Sequence, residues 1–385
     1  MAQVAISQRD SKTPALPKHG SFYRPELDIL RFTAFLLVFF AHLMPFSLLE
    51  NFFGTSAGAR LLVGLIRGGL YGVDLFFCLS SYLITTLLIK EHDLNQGIDV
   101  KAFYFRRILR IWPLYFTYLI VINSLIGLLL PDQLFPRGFF IAFVLLSGNW
   151  ACAAWGFPSS AAGILWSVAI EEQFYLTWPL VMKRWLRHLP AICIGLLATA
   201  FLARGVLVYW GEPRDAIFGN TLTRLDPIVT GALVGFLLKG RTPRLIWPAR
   251  AAMVILGILG IALCGGYGAG FGRAALWTYP CASLASVLLL LGTLGADLSL
   301  IPAWPRRALV YLGQISYGLY VFHRISIEIV ARALGTHHAL KSLAGQTALT
   351  MLLTVLLAVA SYHWLEAPFL RLKRRFAHIV STPAA

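Results

Sequence analysis

The stretch ILRFTAFLLVFFAHLMPFSLL, residues 29–49, decides the fold class. It is a nearly unbroken apolar run, and a helix needs roughly 20 such residues to cross a bilayer core. The residues before it are polar and mixed in charge, and it lacks a clear small-residue cleavage site, so a retained transmembrane helix is predicted rather than a signal peptide. Similar runs recur to the end of the chain. Over 385 residues, 58% are hydrophobic and 13% charged, whereas soluble domains are about half apolar and roughly a quarter charged. The prediction is an all-α integral membrane protein with lipid as its solvent and no room for a large soluble domain.

The candidate spans of the first half are Ile29 to Leu49, Leu70 to Ile89, Ile108 to Leu130, Ile164 to Met182 and Leu189 to Trp210. The second half offers Leu222 to Leu238, Ala251 to Tyr267, Ala274 to Leu294, Ala308 to Val330 and Gly345 to Trp364. A shorter run, Phe139 to Trp150, is ambiguous. Short basic loops stay cytoplasmic, and each full crossing switches sides. The basic stretches 90–110, 183–187, 239–250, 305–307 and 371–375 all fall on one side if Phe139 to Trp150 is re-entrant or partly buried. The expectation is therefore about ten spans with both termini cytoplasmic. Three regions follow: an N-terminal tail over 1–22, a membrane domain over 23–370 and a basic C-terminal tail over 371–385.

The net charge of +16 belongs to these short loops rather than to one face, which is a topology signal and excludes nucleic acid as the expected partner. The five cysteines are scattered without CxxC spacing, so neither a disulfide framework nor a metal site is expected.

Ionisable side chains inside a membrane helix cost a few kcal/mol unless they have a partner, a wet cavity or a task. The first span carries Asp28 and Arg31 near its start and His42 eleven residues beyond Arg31. At about 100° and 1.5 Å per residue, Arg31 and His42 share one face about 16 Å apart. A histidine there could also simply hydrogen-bond a neighbouring helix. Arg107 and Arg110 share a face at i, i+3 and could clamp phosphate through the planar guanidinium fork, or act only as a positive-inside anchor. The segment Trp166 to Tyr175 places Glu171, Glu172 and Gln173 in mid-span, which structural convenience does not explain. Adjacent positions point about 100° apart, so both glutamates line one site only if it is broad. Arg31, Arg224 and His42 are their available partners. Asp74, Asp226 and His323 also lie in or beside spans. Charge pairing is the default reading of Asp74 and Asp226, while Arg324 and Glu328, one turn apart, could pair with each other.

Taken in order, these blocks resemble the membrane acyltransferase-3 family of bacterial O-acyltransferases over nearly the whole chain. The hallmark is similar to Arg31-x10-His42 within Leu27 to Arg31. The later blocks are Gly72 to Phe77 with Tyr82 to Ile84, then Arg106 to Ile111, then Trp166-Ser167 with Glu171 to Tyr175. The last are Ile315 to Tyr317 with Leu319-Tyr320 and His323, then Glu366 to Phe369. Ser81, Arg324 and Ala367 depart from the family's usual glycine, aromatic and arginine at those positions.

The resemblance implies a ten-helix core in the bacterial inner membrane, acyl-CoA as cytoplasmic donor and a carbohydrate or glycolipid acceptor at the outer side. It makes His42 the catalytic histidine with Arg31 in its motif, ties Arg107 and Arg110 to acyl-CoA, and makes Glu172 the functional carboxylate ahead of Glu171. It implies no permanently bound cofactor. Some members carry a periplasmic hydrolase-like C-terminal domain, and the expectation here is the stand-alone form, with acetyl as the preferred acyl group. The residues would allow His42 to act as general base with Glu172 orienting it, or as a nucleophile through an acyl-histidine. A proton-coupled transporter or flippase is the alternative, because mid-membrane charges also mark substrate pathways.

Overall fold

The computed structural model describes residues 20–44, 56–266, 270, 272–334, 343–376 and 379–380. Apart from a two-residue parallel pairing of 20–21 with 379–380, it is helical. Residues 1–19 of the expected N-terminal tail, and 377–378 and 381–385 of the C-terminal tail, lie outside the described residues. So do the last residues of the run 29–49, from 45 on, and Tyr267.

The principal helices are α1 (Pro25–Leu43), α2 (Ala57–Gly68), α3 (Gly72–Asn95), α4 (Val100–Val121), α5 (Arg137–Val144) and α6 (Gly148–Trp155). They continue with α7 (Trp166–Trp185), α8 (Leu189–Tyr209), α9 (Leu225–Leu238), α10 (Trp247–Gly266) and α11 (Ala275–Thr293). The chain then runs through α12 (Ala303–Gln314), α13 (Ser316–Leu334), α14 (Leu343–Ala360) and α15 (Ala367–Lys373). Local chemistry sets several starts. Pro25 occupies the first turn of α1, with Glu26 and Asp28 at its positive end. Asp99 caps α4 by accepting from the Ala102 N–H at 2.9 Å.

Six described helical stretches are long and apolar enough to cross a membrane by length and composition: Ala57–Asn95, Val100–Leu129, Ala161–Tyr209, Trp247–Gly266, Gly272–Thr293 and Leu343–Lys373. Ala161–Tyr209 contains both α7 and α8. The expected ten are not reached on that basis. Both α1 and α13 are 19 residues long but carry three charged residues each, Glu26, Asp28 and Arg31 in one and Arg324, Glu328 and Arg332 in the other. The run Phe139 to Trp150 is two helices of 8 residues, α5 and α6, broken where Leu146 takes φ 56°. Each is about 12 Å long, too short to cross.

Several boundaries differ from the expectation: α3 runs on to Asn95 and α4 begins at Val100, so most of the basic stretch 90–110 is helical. Helix α2, with Arg60 and Arg67, precedes the run expected from Leu70 and packs on α10. The run Ala308 to Val330 is not one helix, because the chain turns at Ile315 between α12 and α13. The turn goes with a close approach: a Cβ on Gly313 would lie 1.9 Å from the Asp28 carbonyl oxygen, so α12 meets α1 backbone to backbone there. Elsewhere α3 packs along α9, where a Cβ on Gly231 would strike the Ser81 hydroxyl at 2.3 Å. The Ser81 side chain thus occupies space that Gly231 leaves open.

Candidate functional site

Five helices meet around a cavity of about 100 Å3. Helix α1 contributes Arg31, α4 contributes Arg107 and Arg110, and α7 contributes Ser167, Glu171 and Tyr175. Helix α3 adds Phe76 and Ser80, and α13 adds Ser316, Tyr317 and Tyr320. Three guanidinium groups therefore face one carboxylate.

The arginines keep much of their donor capacity. Arg31 pairs with Asp28 at 3.6 Å, and Arg110 donates to the Gln314 carbonyl at 3.3 Å. Arg107 is stacked between the Phe103 and Tyr175 rings, 5.6 Å from each centroid. Its Nε has no hydrogen-bond partner within the described protein. Planar five-donor groups arranged this way suit a phosphate or another multivalent anion. Asp28 also accepts from the Tyr23 hydroxyl at 2.8 Å, and Gln314 donates to that hydroxyl at 3.1 Å, so α1 and α12 brace the arginines together.

The adjacent glutamates separate as their helical spacing requires. Glu171 lines the cavity and accepts from the Tyr175 hydroxyl at 3.0 Å. Glu172 turns toward α4, where its Oε2 accepts from the Trp112 indole N–H at 2.9 Å. Gln173 holds the α5–α6 region through the Leu146 carbonyl at 3.2 Å and Asn149 at 2.8 Å. Of the expected pair it is therefore Glu171 that sits with Arg31, Arg107 and Arg110.

His42 lies about 16 Å beyond Arg31 along α1, so the two hallmark residues share a helix but sit at different depths. The expected Glu172 partner is engaged with Trp112. The neighbour of His42 is His323 instead, with His42 Nδ1 and His323 Nε2 3.4 Å apart and ring centroids 5.1 Å apart. His42 Nδ1 also lies 2.9 Å from the Val38 carbonyl, and His323 Nδ1 lies 2.5 Å from the Tyr320 carbonyl. Tyr320 connects the two regions. Its ring lines the cavity, its hydroxyl is 2.6 Å from Ser167, and its carbonyl holds the histidine one turn on. Nothing in the sequence pattern marked Tyr320 and Ser167 as a linked pair, although both fall in the quoted blocks.

The remaining candidates form buried ion pairs. Arg224 binds Asp74 at 2.8 Å with both side chains fully buried. Asp226 pairs with Arg204 rather than with Arg224, one arm at 2.9 Å and the other shorter. Arg204, which lies within the run Leu189 to Trp210, is completely buried in α8 and also donates to the Thr223 carbonyl at 2.7 Å. Its position inside an apolar run was the available signal. Glu328 pairs with Arg332 at 2.6 Å rather than with Arg324.

Among known proteins, the family described as an acyltransferase domain matches residues 24–363. A peptidoglycan O-acetyltransferase of Listeria monocytogenes is 27% identical over 372 residues, covering 91% of this chain and 56% of the relative. A putative peptidoglycan O-acetyltransferase of Bacillus subtilis is 28% identical over 377 residues, covering 90% and 55%. A putative O-acetyltransferase of Staphylococcus aureus is 26% identical over 388 residues, covering 93% and 59%. The chain thus spans a little over half the length of these curated relatives. No solved structure matches it. With the match running from the start of α1 past Tyr362, through every helix that lines the cavity, the chain belongs to the acyltransferase-3 family.

Proposed function

We propose that this chain is a membrane O-acyltransferase moving an acyl group, acetyl by preference, from acyl-CoA to a hydroxyl of an exported or cell-surface carbohydrate. The observation that carries it is the arginine-lined cavity whose Tyr320 end leads, one helical turn on, to the His323–His42 pair. In this reading α1, α9 and α13 also cross, giving about ten spans in the bacterial inner membrane with both termini cytoplasmic. Arg31, Arg107 and Arg110 bind the phosphates of the donor, and the thioester arm reaches along α13 toward His42.

His42 removes the proton from the acceptor hydroxyl as its oxygen bonds to the thioester carbonyl carbon. When the carbon–sulfur bond breaks, the leaving thiolate takes that proton from His42 and departs as the thiol. The names of the Listeria and Bacillus relatives make peptidoglycan the first acceptor to try.

The test is label transfer from radiolabelled acetyl-CoA to the glycans of membranes carrying wild type or His42→Ala at matched expression. Loss of label in the variant supports the reading. Equal labelling removes His42 from the chemistry and favours transport of a glycan instead.

A further inference from the structure

We infer that His323 is a positioning residue, fixing the tautomer and orientation of His42 in the place where acyl-transfer dyads more often carry a carboxylate. The inference rests on the proposed acyl transfer and adds a role for a second residue.

A carbonyl oxygen only accepts, so the 2.5 Å approach of His323 Nδ1 to the Tyr320 carbonyl puts the proton on that nitrogen. In neutral His323, Nε2 is then a lone pair, and it faces His42 Nδ1 at 3.4 Å. His42 Nδ1 in turn lies 2.9 Å from the Val38 carbonyl and so carries a proton too. Both assignments agree without conflict. His42 Nδ1–H has two acceptors, the Val38 carbonyl and His323 Nε2, and His42 Nε2 is left unprotonated as a base requires.

When His42 takes up the acceptor's proton it becomes a double donor, and its Nδ1–H bond to His323 becomes charge-assisted. This repeats the logic of a histidine oriented from behind, with a neutral acceptor as the third member. His323 is fully buried, its ring packed edge-on against Phe35 at 6.3 Å, so its direction is set by packing as well as by the Tyr320 carbonyl.

Three substitutions separate this role from packing. His323→Phe keeps the ring and loses the acceptor. His323→Asn keeps a donor for the Tyr320 carbonyl but falls short of His42, whereas His323→Gln can present an oxygen near the position of Nε2. The full-length protein in membranes is given radiolabelled acetyl-CoA, with the membranes' own glycans as acceptor. Initial rates per mole of protein are compared at limiting and saturating donor.

The expected result is a rate about tenfold or more below wild type for Phe and Asn at both donor concentrations, with Gln recovering most of it. The KM for acetyl-CoA should stay unchanged within about twofold. A Phe variant as active as wild type, or a Gln variant no better than Asn, overturns the inference. If His42→Ala in the same assay keeps its rate, the underlying acyl-transfer reading fails instead. If that variant is dead while His323→Phe is active, only the role of His323 falls.

Discussion

Asp74 on α3 and Arg224, just ahead of α9, form an ion pair at 2.8 Å that is wholly removed from solvent. Trp166, Phe218 and Tyr279 surround the guanidinium with ring centroids at 4.8–5.9 Å. Together with Arg204–Asp226, it cancels four buried charges, and Arg224 lies over Trp166 at the start of the helix that carries Ser167 and Glu171. Paired in this way, these charged residues are proposed to be framework, and their cost in lipid is what makes them conspicuous.

Removing one partner strands the other charge, which for a buried pair costs about 3–5 kcal/mol, whereas removing both is nearly neutral when volume is kept. Asp74→Leu should therefore lower the unfolding temperature in detergent sharply, and Asp74→Leu combined with Arg224→Met should restore much of it. The exposed pair Arg332–Asp132 supplies the contrast, since Asp132→Ala should leave unfolding unchanged. A single Asp74→Leu variant as stable as wild type would remove the pair from the framework.

The arginine cavity predicts a separation of kinetic constants. In the proposed function, Arg107→Gln and Arg110→Gln would each delete charge-assisted bonds to the bound donor, worth roughly 1.5–3 kcal/mol each. The KM for acetyl-CoA should then rise about tenfold or more with the saturated rate little changed. Arg107→Lys should not rescue, because an ammonium cannot reproduce a planar group stacked between Phe103 and Tyr175. Unchanged KM in all three variants would take the donor away from this cavity.

How far the sequence reached is visible in these residues. Hydropathy made the all-helical membrane fold readable, ionisable groups inside an apolar run pointed to Arg31 and His42 because lipid penalises an idle charge, and i, i+3 spacing at the end of a basic stretch pointed to Arg107 and Arg110. Partner choice was not readable, because it depends on rotation and depth between helices distant in the chain. Arg224 finds Asp74, 150 residues away, and His42 finds His323, 281 residues away. The split at Ile315 was hidden too, since the largely apolar residues 308–314 of α12 read on into α13 as one run, and the approach of Gly313 to Asp28 that goes with the turn is a contact between helices distant in the chain.

The glutamates give a directional test. A glutamine at position 172 can still accept from the Trp112 indole, so Glu172→Gln should leave transfer within about threefold of wild type, while Glu172→Ala leaves that buried donor unpaired at about 1–3 kcal/mol. Glu171→Gln removes a negative charge from a cavity proposed to hold an anionic donor, so the KM for acetyl-CoA should fall several-fold. Rates at limiting and saturating donor distinguish the two positions. A large loss in Glu172→Gln with none in Glu171→Gln would return the functional carboxylate to position 172.

Gly313 links packing to this chemistry at a distance from the cavity. An alanine Cβ there would lie 1.9 Å from the Asp28 carbonyl oxygen and 2.8 Å from its Cα, so α12 and α1 must move apart, an overpacking strain of about 1–3 kcal/mol. Asp28 holds Arg31 at 3.6 Å, and the neighbouring Gln314 carbonyl holds Arg110 at 3.3 Å, so the displacement reaches two of the three cavity arginines. Gly313→Ala should raise the KM for acetyl-CoA more than it lowers the saturated rate. Asp28→Asn weakens the pairing with Arg31 while retaining an oxygen for Tyr23, and should reproduce the KM effect with a smaller loss of unfolding temperature. If Gly313→Ala lowers stability but leaves KM untouched, the bracing of Arg31 and Arg110 by α12 contributes to the fold and not to donor binding.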